Sequence, residues 1–225
     1  RFDQIDFYAA VPANRLLPLD DAIKDADYNF TAPDKYLKVG GKRYGVAFEI
    51  SNYVLIYNKS LVPGGKPPAT FEEFLASAKA ATVDGKFGFA FRATMAERAG
   101  FWQDVCNFVF GFGGRWSDDA GNPTINSDKV IEGVAAYKKM YDLGAIPKGA
   151  DAATYRRMFW EGKLAMEVDN GGVAAIFNQQ APDLPLAAAL HNRSGSGCPW
   201  ETSGEREFRN DLLSTRRDPE KATVP

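Results

Sequence analysis

The sequence predicts an α/β fold, in which helices pack against a β-sheet. Helical and short strand patterns alternate over residues 70–169, which is the layering typical of α/β proteins. Residues 53–57 form a continuous apolar run, and such a run indicates a strand that is covered on both faces of its sheet. The chain has 225 residues, of which 45% are hydrophobic, so it is long enough to bury a substantial core.

Turn and cap signals divide the chain into elements. Residues 3–11 predict the end of a strand that runs into a short helix, and Gly40-Gly41 predicts a tight hairpin turn. Thr70 and Glu73 form a capping-box pattern that predicts a helix start. The apolar residues of this helix that share one face are Phe71, Phe74, Leu75 and Ala78. Further helices are predicted over residues 99–112, 127–144 and 154–160, and strands over residues 87–91 and 164–168.

The last part of the chain has a different composition. Residues 193–197 resemble a flexible linker. Residues 201–217 are charged and show little periodicity, so this segment is not assigned to a helix or a strand.

Composition and charge exclude several classes of protein. The formal net charge of −2 argues against a nucleic-acid partner. No apolar run approaches the roughly 20 residues that a membrane-spanning helix needs. The chain opens at Arg1 without an apolar leader, so we expect that processing removed a signal peptide or that the sequence starts inside the protein. Cys106 has apolar neighbours and is expected to be a buried free thiol, although pairing with Cys198 stays open.

The sequence carries few residues suited to catalysis. His191 is the only histidine and has no cysteine or histidine at ligand spacing, so a zinc site and a serine-histidine-aspartate triad are both disfavoured. No phosphate-binding loop is present, because neither Gly64-Gly65-Lys66 nor Gly113-Gly114 has the required spacing. We therefore expect no catalytic residues, no metal and no cofactor, which favours binding over catalysis.

Three segments together resemble the extracellular solute-binding proteins of ABC importers, in the maltose-binding-protein-like, sugar-binding branch. Residues 42–49, continuing into 55–59, are similar to the "GKxYGxPxE…LxYNK" pattern of that family. Residues 66–74 are similar to its "PPxTWEEf" helix entry, with Phe71 where tryptophan is commoner. Residues 159–166 are similar to its "F…GKaAM" pattern. The order and spacing of these segments make the set more specific than any one of them.

The resemblance implies a two-lobed architecture, in which each lobe is a sheet flanked by helices and strands cross between the lobes. Residues 1–50 are assigned to part of the first lobe, residues 51–190 to the second, and residues 191–225 to a return towards the first lobe or a tail. On this basis we expect the chain to lack an opening βα portion and most of the family's terminal helices.

The function implied is non-catalytic capture of a monosaccharide, oligosaccharide or sugar alcohol in a cleft between the lobes. The expected partners are the ligand and the membrane permease subunits of an ABC importer, and the protein is expected to be a monomer. The expected location is periplasmic or extracellular, with a lipid anchor left open. Ligand would favour the closed form, because only that form contacts it from both lobes.

Sugar sites combine polar side chains that bind hydroxyl groups with aromatic faces that stack on the ring. The candidate ligand-binding residues are Asp6, Phe7, Tyr8, Glu49, Ser51, Asn52, Arg92, Trp102, Gln103, Asp169, Asn170 and Gly171. Asp6 matches a hydroxyl-binding position of the resemblance, but it could instead cap a helix. Arg92 follows a predicted strand, at the end where α/β proteins bind ligands. Trp102 could equally stack on ligand or pack in the core.

Three other functions stay open, the last of which is a pure interaction module. A related binder of a non-sugar solute, such as an organic anion, amino-acid derivative or polyamine, could use Arg92 and Arg98 to hold an anion. A glycoside hydrolase could use carboxylates such as Glu49 and Asp169, provided that they flank the scissile bond.

Overall fold

The computed structural model describes the backbone of residues 4–24, 32–47, 53–191 and 202–206, and the side chains of residues 6–24, 34–47 and 53–187. The chain divides into two compact units, Arg1–Ser51 and Asn52–Pro225. The predicted domain boundaries, and the assignment of residues 191–225, stay predictions.

The first unit contains one short helix and one hairpin. Helix α1 spans Gln4–Ala10, and the hairpin pairs β1 (Lys38–Val39) with β2 (Lys42–Arg43). Gly40 and Gly41 have φ values of 58° and 79°, which is the left-handed conformation that a two-residue hairpin loop of this kind requires. The predicted hairpin turn is therefore confirmed, but its strands are only two residues long.

A buried ion pair anchors this hairpin. The guanidinium of Arg43 donates to both carboxylate oxygens of Asp34, at 2.8 and 2.7 Å. The backbone N–H of Arg43 also points at the Asp20 carboxylate, 3.2 Å from either oxygen. Because both Arg43 and Asp34 are buried, their charges compensate each other away from water.

The second unit is built on a mixed five-stranded sheet in the order β4-β5-β3-β6-β7. Its strands are β3 (Tyr53–Asn58), β4 (Phe87–Ala90), β5 (Leu164–Asn170), β6 (Leu186–His191) and β7 (Thr202–Arg206). Strand β4 is parallel to β5, and the other neighbours are antiparallel. Strand β3 lies at the centre, and residues 54–57 are buried, which confirms the predicted strand with both faces covered.

Helices cover both faces of this sheet. They are α2 (Phe71–Ala80), α3 (Arg98–Gly111), α4 (Asp128–Asp142), α5 (Ala152–Trp160) and α6 (Val173–Gln180). On one face Leu55 and Tyr57 pack with apolar residues of α2, α3 and α4, and on the other Val54 and Ile56 pack with those of α5 and α6. The alternation along β3 thus sends successive side chains into two separate cores.

The capping box at the start of α2 is confirmed. The backbone N–H of Glu73 donates to the Thr70 hydroxyl at 3.2 Å, and the Glu73 carboxylate accepts from the N–H of Ala69 at 2.7 Å. The return bond thus reaches one residue before the cap. These bonds satisfy N–H groups that a helix start leaves without partners.

Three elements were not predicted. Helix α6 starts after Gly172, whose lack of a side chain removes the usual cap signal. Strand β6 has the sequence Leu-Ala-Ala-Ala-Leu-His and is set by pairing with β3 rather than by β-propensity. Strand β7 lies in the segment that the sequence left unassigned, and it pairs with β6 through its backbone.

Candidate functional site

Arg92 lies two residues beyond the end of β4 and forms an ion pair with Asp104 on α3. Its Nε and Nη2 atoms donate to Oδ2 and Oδ1 at 2.9 and 2.8 Å, and its backbone N–H donates to Oδ2 at 2.7 Å. The two side chains are 8% and 3% exposed. This geometry differs from the expectation that Arg92 presents its charge to a ligand, because a buried guanidinium requires a buried partner.

The first turn of α3 is shaped to accept this guanidinium. A Cβ atom on Gly100 would lie 2.5 Å from Cδ and 2.7 Å from Nη1 of Arg92, so any larger residue would force the Arg92 side chain to shift. Burial by itself would lower the pKa of Arg92, but the hydrogen bonds and charge of Asp104 outweigh it and raise that pKa above its ordinary value. The pair is therefore a fixed ionic element of the second unit.

Tyr53, the first residue of β3, connects this ion pair to the surface. Its hydroxyl donates to Oε1 of Gln103 at 2.7 Å, and the guanidinium carbon of Arg92 lies 5.9 Å from its ring centroid. This is within the range of a cation–π contact. Tyr53 is half-buried, and burial raises the pKa of its hydroxyl, so it is a neutral donor.

Trp102 and Trp116 form a stacked aromatic pair beside Gln103. Their ring centroids are 4.6 Å apart with an interplanar angle of 27°. Trp102 is 40% exposed, so it is not a core residue. The indole N–H of Trp116 donates to the sulfur of Cys106 at 3.2 Å. Cys106 is a free thiol that is half-buried rather than buried as predicted, and partial burial raises its pKa.

Asp169 is buried on β5 and its carboxylate is fully engaged. Arg156 of α5 donates through Nε and Nη2 at 2.7 and 2.9 Å, and the Tyr155 hydroxyl lies at 3.3 Å. The backbone and side-chain nitrogens of Asn170 donate to Oδ1 at 2.7 and 3.0 Å. This again differs from the expectation of direct ligand contact, since the oxygens already accept these bonds. Asp169 instead fixes the end of β5.

These residues meet at one end of the sheet. Tyr53 pairs with Asn170 in the β3–β5 register, and Gly171 follows directly. A Cβ atom built on Gly171 meets nothing within 4 Å, so its backbone faces open space. We refer to the following residues as the sheet-end cluster: Tyr53, Trp102, Gln103, Trp116, Asn170 and Gly171. Four of its members were predicted. The Arg92–Asp104 and Arg156–Asp169 ion pairs lie next to these residues and are more deeply buried.

Tyr53 and Trp116 were missed by the sequence interpretation. Tyr53 was taken only as part of an apolar strand, although a tyrosine at a strand end is well suited to place its hydroxyl at a surface. Trp116 follows the glycines that end α3, and nothing in the sequence indicates that the chain returns to stack on Trp102.

In the first unit, the three predicted residues lie in different environments. Asp6 is exposed on α1. Phe7 is only 4% exposed, with its ring edge 3.3 Å from where a Gly45 Cβ would lie, so this ring has no free stacking face. Tyr8 is exposed and its hydroxyl donates to the backbone oxygen of Tyr36 at 2.8 Å. Phe7 is therefore a core residue of its unit, because the short helix needs an apolar anchor.

The predicted residues Glu49, Ser51 and Asn52 lie outside the described residues. Their assignment to the ligand site stays a prediction.

Glu167 on β5 is a buried charged residue that the sequence interpretation did not single out. It is fully buried, and neither carboxylate oxygen has a hydrogen-bond partner among the described residues. Burial, and then the charge of Asp169, raise its pKa well above the ordinary value. A glutamate inside the apolar run Leu-Ala-Met-Glu-Val was the available signal, because buried strands avoid unpaired polar groups.

Within the part of the chain that the structure describes, no cluster of three or more histidine, cysteine, aspartate or glutamate side chains is arranged to hold a metal ion. In the same residues, no helix combines the length and apolar character that crossing a membrane requires.

Comparison with known proteins identifies the family. Residues 2–203 match the family described as bacterial extracellular solute-binding protein. A galactooligosaccharide-binding protein of Bacillus subtilis is 29% identical over 135 residues, which are 56% of this chain and 31% of that protein. The family match covers most of the chain. It confirms the resemblance that was based on residues 42–74 and 159–166.

Solved structures share the fold. An ABC transporter solute-binding protein from Thermotoga lettingae, bound with α-D-tagatose, has a TM-score of 0.72 and 18% identity, over 84% of this chain and 52% of its own. The maltose/maltodextrin-binding domain MalE of Bdellovibrio bacteriovorus, bound to maltotriose, has a TM-score of 0.66 and 23% identity, over 81% and 48%. The chain thus spans about half the length of these structures. The α/β fold is that of two-lobed, MalE-like proteins, and the chain belongs to the bacterial extracellular solute-binding protein family.

Proposed function

We propose that this protein captures a small carbohydrate, without chemical conversion, for delivery to an ABC importer. The carbohydrate is a monosaccharide, an oligosaccharide or a sugar alcohol. The observation that carries the proposal is the partly exposed Trp102 ring, which neighbours Gln103 in sequence, and the Tyr53 hydroxyl whose hydrogen bond Gln103 accepts. An aromatic face suits the C–H surface of a sugar ring, and neutral amide and hydroxyl groups suit its hydroxyls.

The charges near the sheet-end cluster favour an uncharged ligand. Arg92 is compensated by Asp104, and Arg156 by Asp169. Neither guanidinium is left to attract an organic anion, and neither carboxylate to attract a polyamine. Three of the similar proteins are named for uncharged sugars, namely galactooligosaccharide, α-D-tagatose and maltotriose, which supports the same conclusion.

A hydrolase is disfavoured by the state of Asp169. A catalytic carboxylate must reach the scissile bond, whereas Asp169 is fully buried and accepts hydrogen bonds from three residues. We therefore propose binding alone. The partners proposed with it are the permease subunits of the importer, and the location proposed is periplasmic or extracellular, with a lipid anchor left open.

A ligand panel tests the proposal. Thermal shift with neutral mono- and oligosaccharides and sugar alcohols, compared with organic acids, amino acids and polyamines, should show stabilisation by members of the first group only. Calorimetry then gives the affinity, and chromatography of the recovered sugar should show it unchanged. Stabilisation by an anion or an amine alone would favour the non-sugar alternative, and release of smaller sugars would favour the hydrolase.

The resemblance also implies closure of two lobes around the ligand, which stays a prediction. Small-angle scattering of the protein with and without the best ligand of the panel measures it. A decrease in the radius of gyration with ligand is expected, whereas an unchanged radius would contradict closure.

A further inference from the structure

The buried charged residues next to the sheet-end cluster have no net charge when Glu167 is left out. Arg92 pairs with Asp104, and Arg156 pairs with Asp169, so these four groups carry no net charge. An ionised Glu167 would add one negative charge in a place where none of the described groups hydrogen-bonds it. A buried charge without a partner is strongly unfavourable, so the neutral carboxyl is the form that fits this structure.

The position of Glu167 brings it close to both pairs. On β5 it pairs with Ile56 of β3 and Ala90 of β4, so it faces the core formed with α5 and α6. Asp169 follows two residues later on the same face, at a spacing of roughly 7 Å. Arg92 follows Ala90 by two residues beyond the end of β4. Both guanidinium groups therefore lie close enough to act on the charge of Glu167.

Among the described residues, the titratable and charged groups that act on this carboxyl are Asp169 on β5, Arg92 beyond β4, Asp104 on α3, and Tyr155 and Arg156 on α5. The residues of β3 and α6 in this core are apolar, namely Val54, Ile56, Val173 and Phe177. The only cations near Glu167 among the described residues are thus the two guanidinium groups that other carboxylates already hold.

We infer that the buried carboxyl of Glu167 holds a proton that keeps the sheet-end cluster in its binding geometry, so that loss of this proton weakens ligand binding. An ionised Glu167 has to draw Arg156 from Asp169 or Arg92 from Asp104. The first exchange disturbs Asn170, whose backbone is held by Asp169, and the second disturbs Arg92 beneath Tyr53. Glu167 is therefore a positioning residue that acts through other residues. The ligand part of this inference rests on the proposed function.

The first test needs no ligand and compares the wild-type protein with Glu167→Gln. Infrared spectroscopy should detect a protonated carboxyl at neutral pH that disappears on alkaline titration and is absent from the variant. Amide hydrogen exchange of residues 167–172, measured for both proteins at one alkaline pH, should be faster in the wild type. A Glu167 carboxyl that titrates near its ordinary value of 4.5, or equal exchange rates, would overturn the inference.

The second test measures affinity against pH with the best neutral sugar of the panel. Above the titration of Glu167 the wild-type affinity should fall by up to about tenfold per pH unit, as expected for linkage to one proton. Glu167→Gln should keep its affinity, because glutamine mimics the neutral acid. Glu132→Gln on α4, which is exposed, should retain the wild-type profile.

The outcomes separate the two proposals. Identical pH profiles in the wild type and Glu167→Gln would overturn the inference and leave the proposed function intact. If no sugar binds, the proposed function fails, and the infrared and exchange measurements still decide whether Glu167 holds the proton and orders the end of β5.

Discussion

Asp104 receives three hydrogen bonds from Arg92, two from the guanidinium and one from the backbone N–H. The bonds join the end of β4 to α3 over a sequence separation of 12 residues. Asp104 directly follows Gln103 in the sequence. The position of Gln103 in the sheet-end cluster therefore depends on the buried Arg92–Asp104 ion pair.

Removal of one partner of this pair should destabilise the protein. Arg92→Ala leaves the Asp104 charge buried without a partner, and we expect a loss of about 3–5 kcal/mol in the free energy of unfolding. Denaturant unfolding followed by circular dichroism measures it. The control is Arg115→Ala, because the Arg115–Asp119 pair is solvent-exposed and should contribute about 0–1 kcal/mol. Equal effects of the two substitutions would show that the Arg92 pair adds nothing through its burial.

Gly100→Ala should also destabilise the protein, although alanine favours helices. The new Cβ would lie 2.5 Å from Cδ of Arg92, so the guanidinium must shift away from Asp104. We expect a loss of about 1–3 kcal/mol, which exceeds the gain of roughly 1 kcal/mol in helix propensity. Thermal unfolding checks this, with Gly171→Ala as the matched control, since an added Cβ there meets nothing. A stabilised Gly100→Ala protein would contradict the packing described for Arg92.

Trp102→Ala should weaken sugar binding in a protein that still folds, with some loss of stability because the stack on Trp116 is removed. Loss of one stacking face is expected to cost about 1–2 kcal/mol, or roughly 5- to 30-fold in Kd. Trp102→Phe should retain part of the affinity because an aromatic face remains. Calorimetry with the sugar identified in the panel gives these values. Phe110→Ala, on the same helix and also exposed, serves as the control and should bind like the wild type. If Trp102→Ala also bound like the wild type, Trp102 would lie outside the site.

The stability of the wild-type protein should depend on pH through Glu167. Its pKa is higher in the folded state than in the unfolded state, so the folded state holds the proton more tightly. This contribution is fully present below the unfolded value of about 4.5 and is lost as the pH rises to the folded pKa, by up to about 1.4 kcal/mol per pH unit. Glu167→Gln should therefore be more stable than the wild type at neutral pH. The free energy of unfolding of both proteins, measured from about pH 4 to about pH 8, tests this difference. The same pH dependence in both proteins would contradict it.

The sequence predicted those elements whose signals are local. The cap at Thr70, the glycine pair of the hairpin and the apolar run of β3 each act within a few residues, and each was confirmed. Strand β6 was missed because its alanines form a strand only where β3 offers backbone partners, and such pairing has no trace within residues 186–191.

For the candidate site, the sequence likewise predicted some features and missed others. Trp102, Gln103, Asn170 and Gly171 were chosen from the family resemblance, and the structure brings them to one end of the sheet. The roles expected for Arg92 and Asp169 differ from the structure because their partners, Asp104 and Arg156, belong to other elements. A charged residue after a strand looks the same in sequence whether it faces a ligand or a buried counterion.

The central place of β3 has a consequence for biosynthesis. Its neighbours β5 and β6 are both encoded far downstream, so a nascent chain that emerges in order carries an unpaired apolar strand until residues 164–191 have been made. Such long-range pairing slows folding and leaves strand edges open to association with other chains. The late completion of the sheet would keep the newly made polypeptide unfolded for longer and in need of protection from aggregation.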